Sequence, residues 1–159
     1  MSAWRLALER IELHLETLFT NVMIFIMNDF TDFDAFQLCR DFARAIAVPL
    51  NAGVFARDPV LVTQLRKTII SVYSNFAEGF ERDGNREFSQ FVSVSKGSVG
   101  EARGQLLYAV DFGYLQIEQF EPIDSLGVRA SQCLGGLMRH LNTSEMRGRK
   151  FKFHSDRKR

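Results

Sequence analysis

Seven polar residues stand out for what their side chains can do: Arg66, Asn75, Glu78, Arg82, Glu87, Glu101 and Arg103. Guanidinium and carboxylate groups at helical spacings can pair with one another and fix how helices align. They can also present charge to an anionic ligand such as an RNA backbone. Glu78 falls near the C-terminal end of an expected helix, where the helix dipole disfavours a negative charge by about 0.3–1 kcal/mol. A compensating cation is therefore expected beside it, either Arg82 or an arginine across the bundle. Glu101 lies beside an apolar stripe, within reach of Arg66. The favoured reading is a structural polar network that sets helix register, and the competing one is a ligand or RNA-backbone site.

A second group closes the chain. Arg147, Arg149, Lys150, Lys152, Arg157, Lys158 and Arg159 alternate in part with Phe151 and Phe153. Cations interleaved with aromatic rings can pair phosphates and stack on bases, so these residues are the candidate nucleic-acid contacts. Terminal charge runs are also often simply solvated. The chain's net charge is only +1, but residues 143–159 hold seven Lys or Arg against two acids, leaving −4 for the rest. A mildly acidic body thus bears a basic tail.

Other chemistry is missing from the pattern. There is no GxGxxG, P-loop, CxxC or HExxH run. His14, His140 and His154 lack metal-ligand spacing, and no histidine lies near the serines of residues 89–98 in sequence. The expectation is no enzyme, no catalytic residue, no metal, no cofactor and no small-molecule substrate. Cys39 and Cys133 lie in apolar helical patterns, which fits reduced thiols in a cytoplasmic protein. The longest near-apolar run, residues 18–27, makes about 15 Å of helix, half of a bilayer core. Glu9, Glu12 and Glu16 precede it, unlike a secretory leader.

These groups need elements to hold them, and the periodicity is helical throughout. Trp4, Leu8, Ile11, Leu15, Leu18, Val22 and Phe25 recur in steps of three and four, one stripe along an N-terminal helix. Thr31 or Asp32 then offers an N-cap for a helix with Phe36, Cys39, Ala43 and Ile46 inward, expected to stop near Val48 before Pro49. Residues 49–57 read as a loop. Asp58-Pro59 starts the next helix, with Leu61, Leu65, Ile69, Val72 and Phe76 on one face and Gly79 as its stop. A further stripe holds Phe88, Val92, Ser95, Val99, Ala102, Leu106 and Ala109 and ends at Gly113. The last holds Phe120, Ile123, Gly127, Ala130, Leu134, Leu137 and Leu141, with Pro122 expected in its first turn. Repeated three-four spacing with short links predicts an all-α, up-down four-helix bundle. The expected organisation is an extra amphipathic helix over residues 1–27, the bundle over 28–142 and the basic tail over 143–159. Gly97, Gly100 and Gly104 each cost about 0.8–1 kcal/mol against alanine inside a helix, so close approach of a neighbouring helix is expected there, as at Gly135 and Gly136. Leu6, Leu13, Met23, Ile24, Phe42, Val94 and Phe112 fall off the stripes, which points to subunit contacts.

Residues 64–115 carry a resemblance in several ordered blocks. These are Gln64-Leu65-Arg66, Ser74-Asn75-Phe76-Ala77-Glu78-Gly79-Phe80, Arg86-Glu87-Phe88 with Phe91, Lys96-Gly97-Ser98 with Glu101, and Gly113-Tyr114-Leu115. In order and spacing they resemble the small four-helix-bundle proteins encoded in intervening sequences of bacterial large-subunit ribosomal RNA genes. That family has no known reaction. The same fold occurs in accessory variability determinant proteins of diversity-generating retroelements, which form homopentamers that engage a reverse transcriptase and nucleic acid. The resemblance therefore implies a homopentamer that acts as a scaffold for RNA or a nucleoprotein partner such as a reverse transcriptase. The alternative is a protein-only interaction module with an inert tail. The family pattern begins a few residues before Phe33, so residues 1–26 are an addition to it.

Overall fold

The computed structural model of the chain describes residues 29–82 and 84–143. The expected N-terminal helix and the basic tail lie outside the described residues. Four α-helices follow one short turn: α1 is Asp34–Asn51, α2 is Pro59–Glu81, α3 is Asn85–Asp111 and α4 is Ile117–Thr143. Each packs on the next in sequence and α1 closes onto α4, giving the all-α up-down four-helix bundle.

Thr31 and Asp32 do not cap α1. They belong to a separate 3₁₀ turn, Phe30–Asp32, held by a capping box. Asp29 Oδ1 accepts from the Thr31 N–H at 2.8 Å, and Asp32 Oδ2 accepts from the Asp29 N–H at 3.1 Å. Phe33 is the N-cap of α1 and makes no side-chain cap bond. Its buried ring sets the start instead, packed edge-on at 5.6–5.8 Å against Phe76, Phe80 and Phe88.

Pro49 does not stop α1, which runs on to Asn51 with Pro49 buried in its last turn. Proline removes only its own N–H bond to the carbonyl four residues back. The neighbouring carbonyls stay in use: Ala52 N–H donates to Val48 O and Val54 N–H to Pro49 O, both at 3.1 Å. Asp58 caps α2 as expected, accepting from the Leu61 N–H at 2.9 Å, with Pro59 at the first helical position. In α4, Pro122 sits one turn later than expected, because the helix starts at Ile117.

The expected stripes of α1 and α3 are buried in full, and on α4 only Phe120 and Leu137 stay half-buried. On α2 the inward position is Thr68, while Ile69 is only half-buried. The glycines divide against expectation. Gly79 does not end α2 in a left-handed conformation but lies inside it, where an added Cβ would stand 2.5 Å from Phe91 Cβ. Gly127 is similar, with Phe42 Cε2 and Arg103 Cγ both at 2.9 Å. At Gly97, Gly100 and Gly104 a Cβ would meet nothing within 4 Å among the described residues, so no described helix approaches there. Gly135 and Gly136 meet only side-chain ends, of Lys96 and Arg139. Close approach thus occurs at one glycine on α2 and one on α4, and the α3 glycines point away from the core.

Gly79→Ala should destabilise the bundle by about 1–3 kcal/mol, because Phe91 Cβ is fixed to backbone and cannot swing aside. Urea unfolding followed by circular dichroism would read this. An unchanged midpoint would show that α2 and α3 do not meet as described.

Candidate functional site

The polar side chains of the bundle concentrate on the seam between α2 and α3. Ser95 is fully buried and donates to Val72 O at 3.0 Å. The Ser71 and Ser98 hydroxyls share a hydrogen bond at 2.9 Å, and Asn75 Nδ2 donates to Ser71 O at 2.8 Å. One level along, Gln105 Nε2 donates to Thr68 Oγ1 at 3.1 Å and to Glu101 Oε1 at 3.0 Å. At the far end the Tyr108 hydroxyl donates to Asp58 Oδ2 at 3.1 Å. The Ser95–Val72, Ser71–Ser98, Gln105–Thr68 and Tyr108–Asp58 pairs form a ladder between α3 and the segment of α2 with its N-cap, while Asn75–Ser71 and Gln105–Glu101 brace it from within one helix. The serine hydroxyls serve carbonyls and one another; Ser95 gives its proton to the main chain, not to a base.

The seven residues singled out from sequence fall in separate places. Asn75 and Glu101 belong to the seam. Glu78 and Arg82 pair across one turn at the end of α2, with Arg82 Nε 3.1 Å from Glu78 Oε1, and the guanidinium sits 4.8 Å over the Phe91 ring. Arg103 turns to α4 instead, gripping Asp124 with two bonds of 2.7 and 3.1 Å. Glu87 lies exposed in the first turn of α3, and Arg66 lies exposed on α2. Glu101 accepts from Gln105 on its own helix, so the expected Arg66–Glu101 meeting is not what the seam is built on. Sequence reading missed Thr68, Ser71, Ser98, Gln105 and Asp124 as members. Ser95 carried the available signal, being a hydroxyl on an otherwise apolar stripe that must find a partner once buried.

An open cleft of about 670 Å³ lies over the Asp58 end of this seam, lined by Asp58, Val60, Leu61, Gln64, Glu101, Gly104, Gln105 and Tyr108. Its charged lining is two carboxylates with no cation. Such a cleft repels phosphate. Gln105 Oε1 is buried without a hydrogen-bond partner among the described residues. The described residues hold no group of three His, Cys, Asp or Glu placed to bind a metal, and no helix among them is long and apolar enough to cross a membrane.

Both cysteines are free thiols. Burial pushes Cys39 from 9.0 up to about 12, and burial also raises Cys133 and Tyr73. Burial moves His140 the other way, below its usual 6.5. Their effects on stability bracket an optimum. Above pH 9.0 the unfolded chain loses protons that folded Cys39 keeps, so stability should fall as pH rises toward about 12. Below pH 6.5 the unfolded chain gains a proton that folded His140 resists, so stability should fall again. Thermal unfolding across pH should therefore peak between those limits, with native thiols slow to react with a disulfide reagent at pH 8. Rapid modification of both thiols in the folded protein would contradict the burial described.

Residues 31–136 match the family described as 23S rRNA-intervening sequence protein. No curated protein matches the chain. The match bears out the resemblance carried by residues 64–115 and covers most of the bundle, from the 3₁₀ turn to within two turns of the end of α4. The chain belongs to this family.

Proposed function

We propose that this member of the 23S rRNA-intervening sequence protein family is a non-enzymatic, self-associating scaffold that holds RNA through its basic C-terminal segment. One observation carries the reading: the hydroxyls of the seam are engaged in joining helices, and the broad cleft above them is lined by carboxylates, which leaves the tail as the source of phosphate contacts. Arg147, Arg149, Lys150, Lys152, Arg157, Lys158 and Arg159 give the tail a net positive charge, which the body does not have, with Phe151 and Phe153 placed in the sequence to stack on bases.

Self-association has its own support. Val48 on α1 and Ile70 on α2 are 70% and 63% exposed, apolar surface that a subunit contact would cover, whereas the off-stripe Phe42 is buried in the bundle's own core. A homopentamer would bring five tails together, and each would act at high effective concentration for the next contact on one RNA strand. A nucleoprotein partner such as a reverse transcriptase would be met by the same basic surface.

Replacing Arg147, Arg149, Lys150 and Lys152 with alanine should weaken RNA retention on all sequences while leaving the bundle folded, because the last core residue among the described ones is Leu141. The salt dependence should flatten by about 0.7 in log–log slope for each phosphate that the variant no longer neutralises. Light scattering of the same samples should exceed the monomer mass of 18.2 kDa. Parent protein that retains no RNA at low salt, or a quadruple variant that retains as much, would overturn the reading and leave a protein-only module.

A further inference from the structure

The body of the chain has no net positive charge, but its charges are segregated. Residues 88–100 of α3 and 125–143 of α4 contain no Asp or Glu, and they hold Lys96, Arg129 and Arg139. Two of these cations converge where the helices pack. A Cβ built at Gly135 would stand 3.6 Å from Lys96 Cε and 3.7 Å from Arg139 Nη1, and one at Gly136 would stand 3.9 Å from Arg139 Nη2. Lys96 thus reaches across from α3, and Arg139 folds back one turn along α4, over the same two glycines. Both residues are exposed, and no carboxylate among the described residues forms an ion pair with either. Arg44, Arg82 and Arg103 differ, since each is matched to an acid.

Two unmatched cations side by side repel each other. Adjacent glycines inside a helix lower its propensity, and here the room they open is taken by charged side-chain ends. An anion seated between the cations offsets the repulsion. The guanidinium offers a planar fork of N–H donors and the ammonium a compact charge, a set that phosphate oxygens accept. Ser93 and Gln132, both exposed, supply neutral donors within a helical turn of Lys96 and Gly135.

We infer that Lys96 and Arg139 form a binding site for one phosphate group over Gly135 and Gly136. The chemistry fits a free phosphate and a phosphodiester of RNA alike. The site does not rest on the RNA reading, because inorganic phosphate is enough to fill it.

Inorganic phosphate titrated into the full-length protein at constant ionic strength should shift the backbone amide resonances of Gly135 and Gly136 saturably. Lys96→Gln with Arg139→Gln should weaken that binding by about tenfold or more, with helical circular dichroism retained. A second variant supplies the anion from within the chain. Gly135→Glu places a carboxylate one turn before Arg139 and opposite Lys96, at a position where a Cβ meets only ordinary van der Waals contacts. It should abolish the phosphate response and melt above Gly135→Gln at low salt, with the difference shrinking at high salt. Single-stranded RNA added to the quadruple tail variant separates the two sources. Shifts at Gly135 and Gly136 would assign the site to a phosphodiester, and shifts with inorganic phosphate alone would assign it to a free phosphate group. No saturable shift with either probe would overturn the inference, as would a Lys96–Arg139 double variant that responds like the parent, or a Gly135→Glu protein that melts no higher than Gly135→Gln. Each of those results would leave the tail's part in RNA retention unaffected.

Discussion

The ladder of hydrogen bonds between α2 and α3 is the constraint on which the rest of the bundle depends. Apolar stripes alone tolerate sliding, because leucine packs on leucine at more than one register. A buried hydroxyl does not tolerate it. Ser95 reaches Val72 O at 3.0 Å, and a shift of one turn would take the buried hydroxyl away from that acceptor. Gly79 reinforces the same register from the end of the interface, since only there can the Phe91 side chain seat against bare backbone. With α2 and α3 fixed, Arg103 and Asp124 align α3 with α4, and the aromatic cluster around Phe33 closes α1 over the end.

That constraint also shapes the functional reading. The hydroxyl and amide side chains of the seam hold helices together. The surface of the described residues offers an acidic cleft and exposed apolar positions. In such a design the bundle is a rigid mount. In the proposed reading, recognition is carried by the basic segment attached to it.

Much of the fold is legible in the residues, because α1 and α3 bury their stripes in full, α2 and α4 bury most of theirs, and Asp58-Pro59 is an unambiguous start. The departures have local physical causes. Pro49 has the form of a stop, yet a proline near a helix C-terminus loses only one bond. Thr31 and Asp32 have the form of a cap, yet the burial of Phe33 fixes the start of α1. The glycines mislead most. Gly79 has the composition of a stop and the environment of a contact, and only the position of Phe91 tells them apart. The candidate site is less legible than the fold. Charged residues draw attention in a sequence, whereas this interface is built from serine, threonine and amide groups whose partners lie on the facing helix. Arg103 stands out in the sequence, but its partner Asp124 lies 21 positions away on another helix, where spacing carries no information.

Separating stability from RNA retention tests the central claim most directly. In the variant Ser95→Ala with Ser98→Ala the seam loses its central hydroxyls while the tail is untouched. The account predicts a loss of about 1–3 kcal/mol in unfolding free energy, with RNA retention at low salt equal to that of the parent while the bundle stays folded. A variant of unchanged stability that no longer retains RNA would contradict it, because the seam would then be the binding site and not the device that holds the scaffold in register.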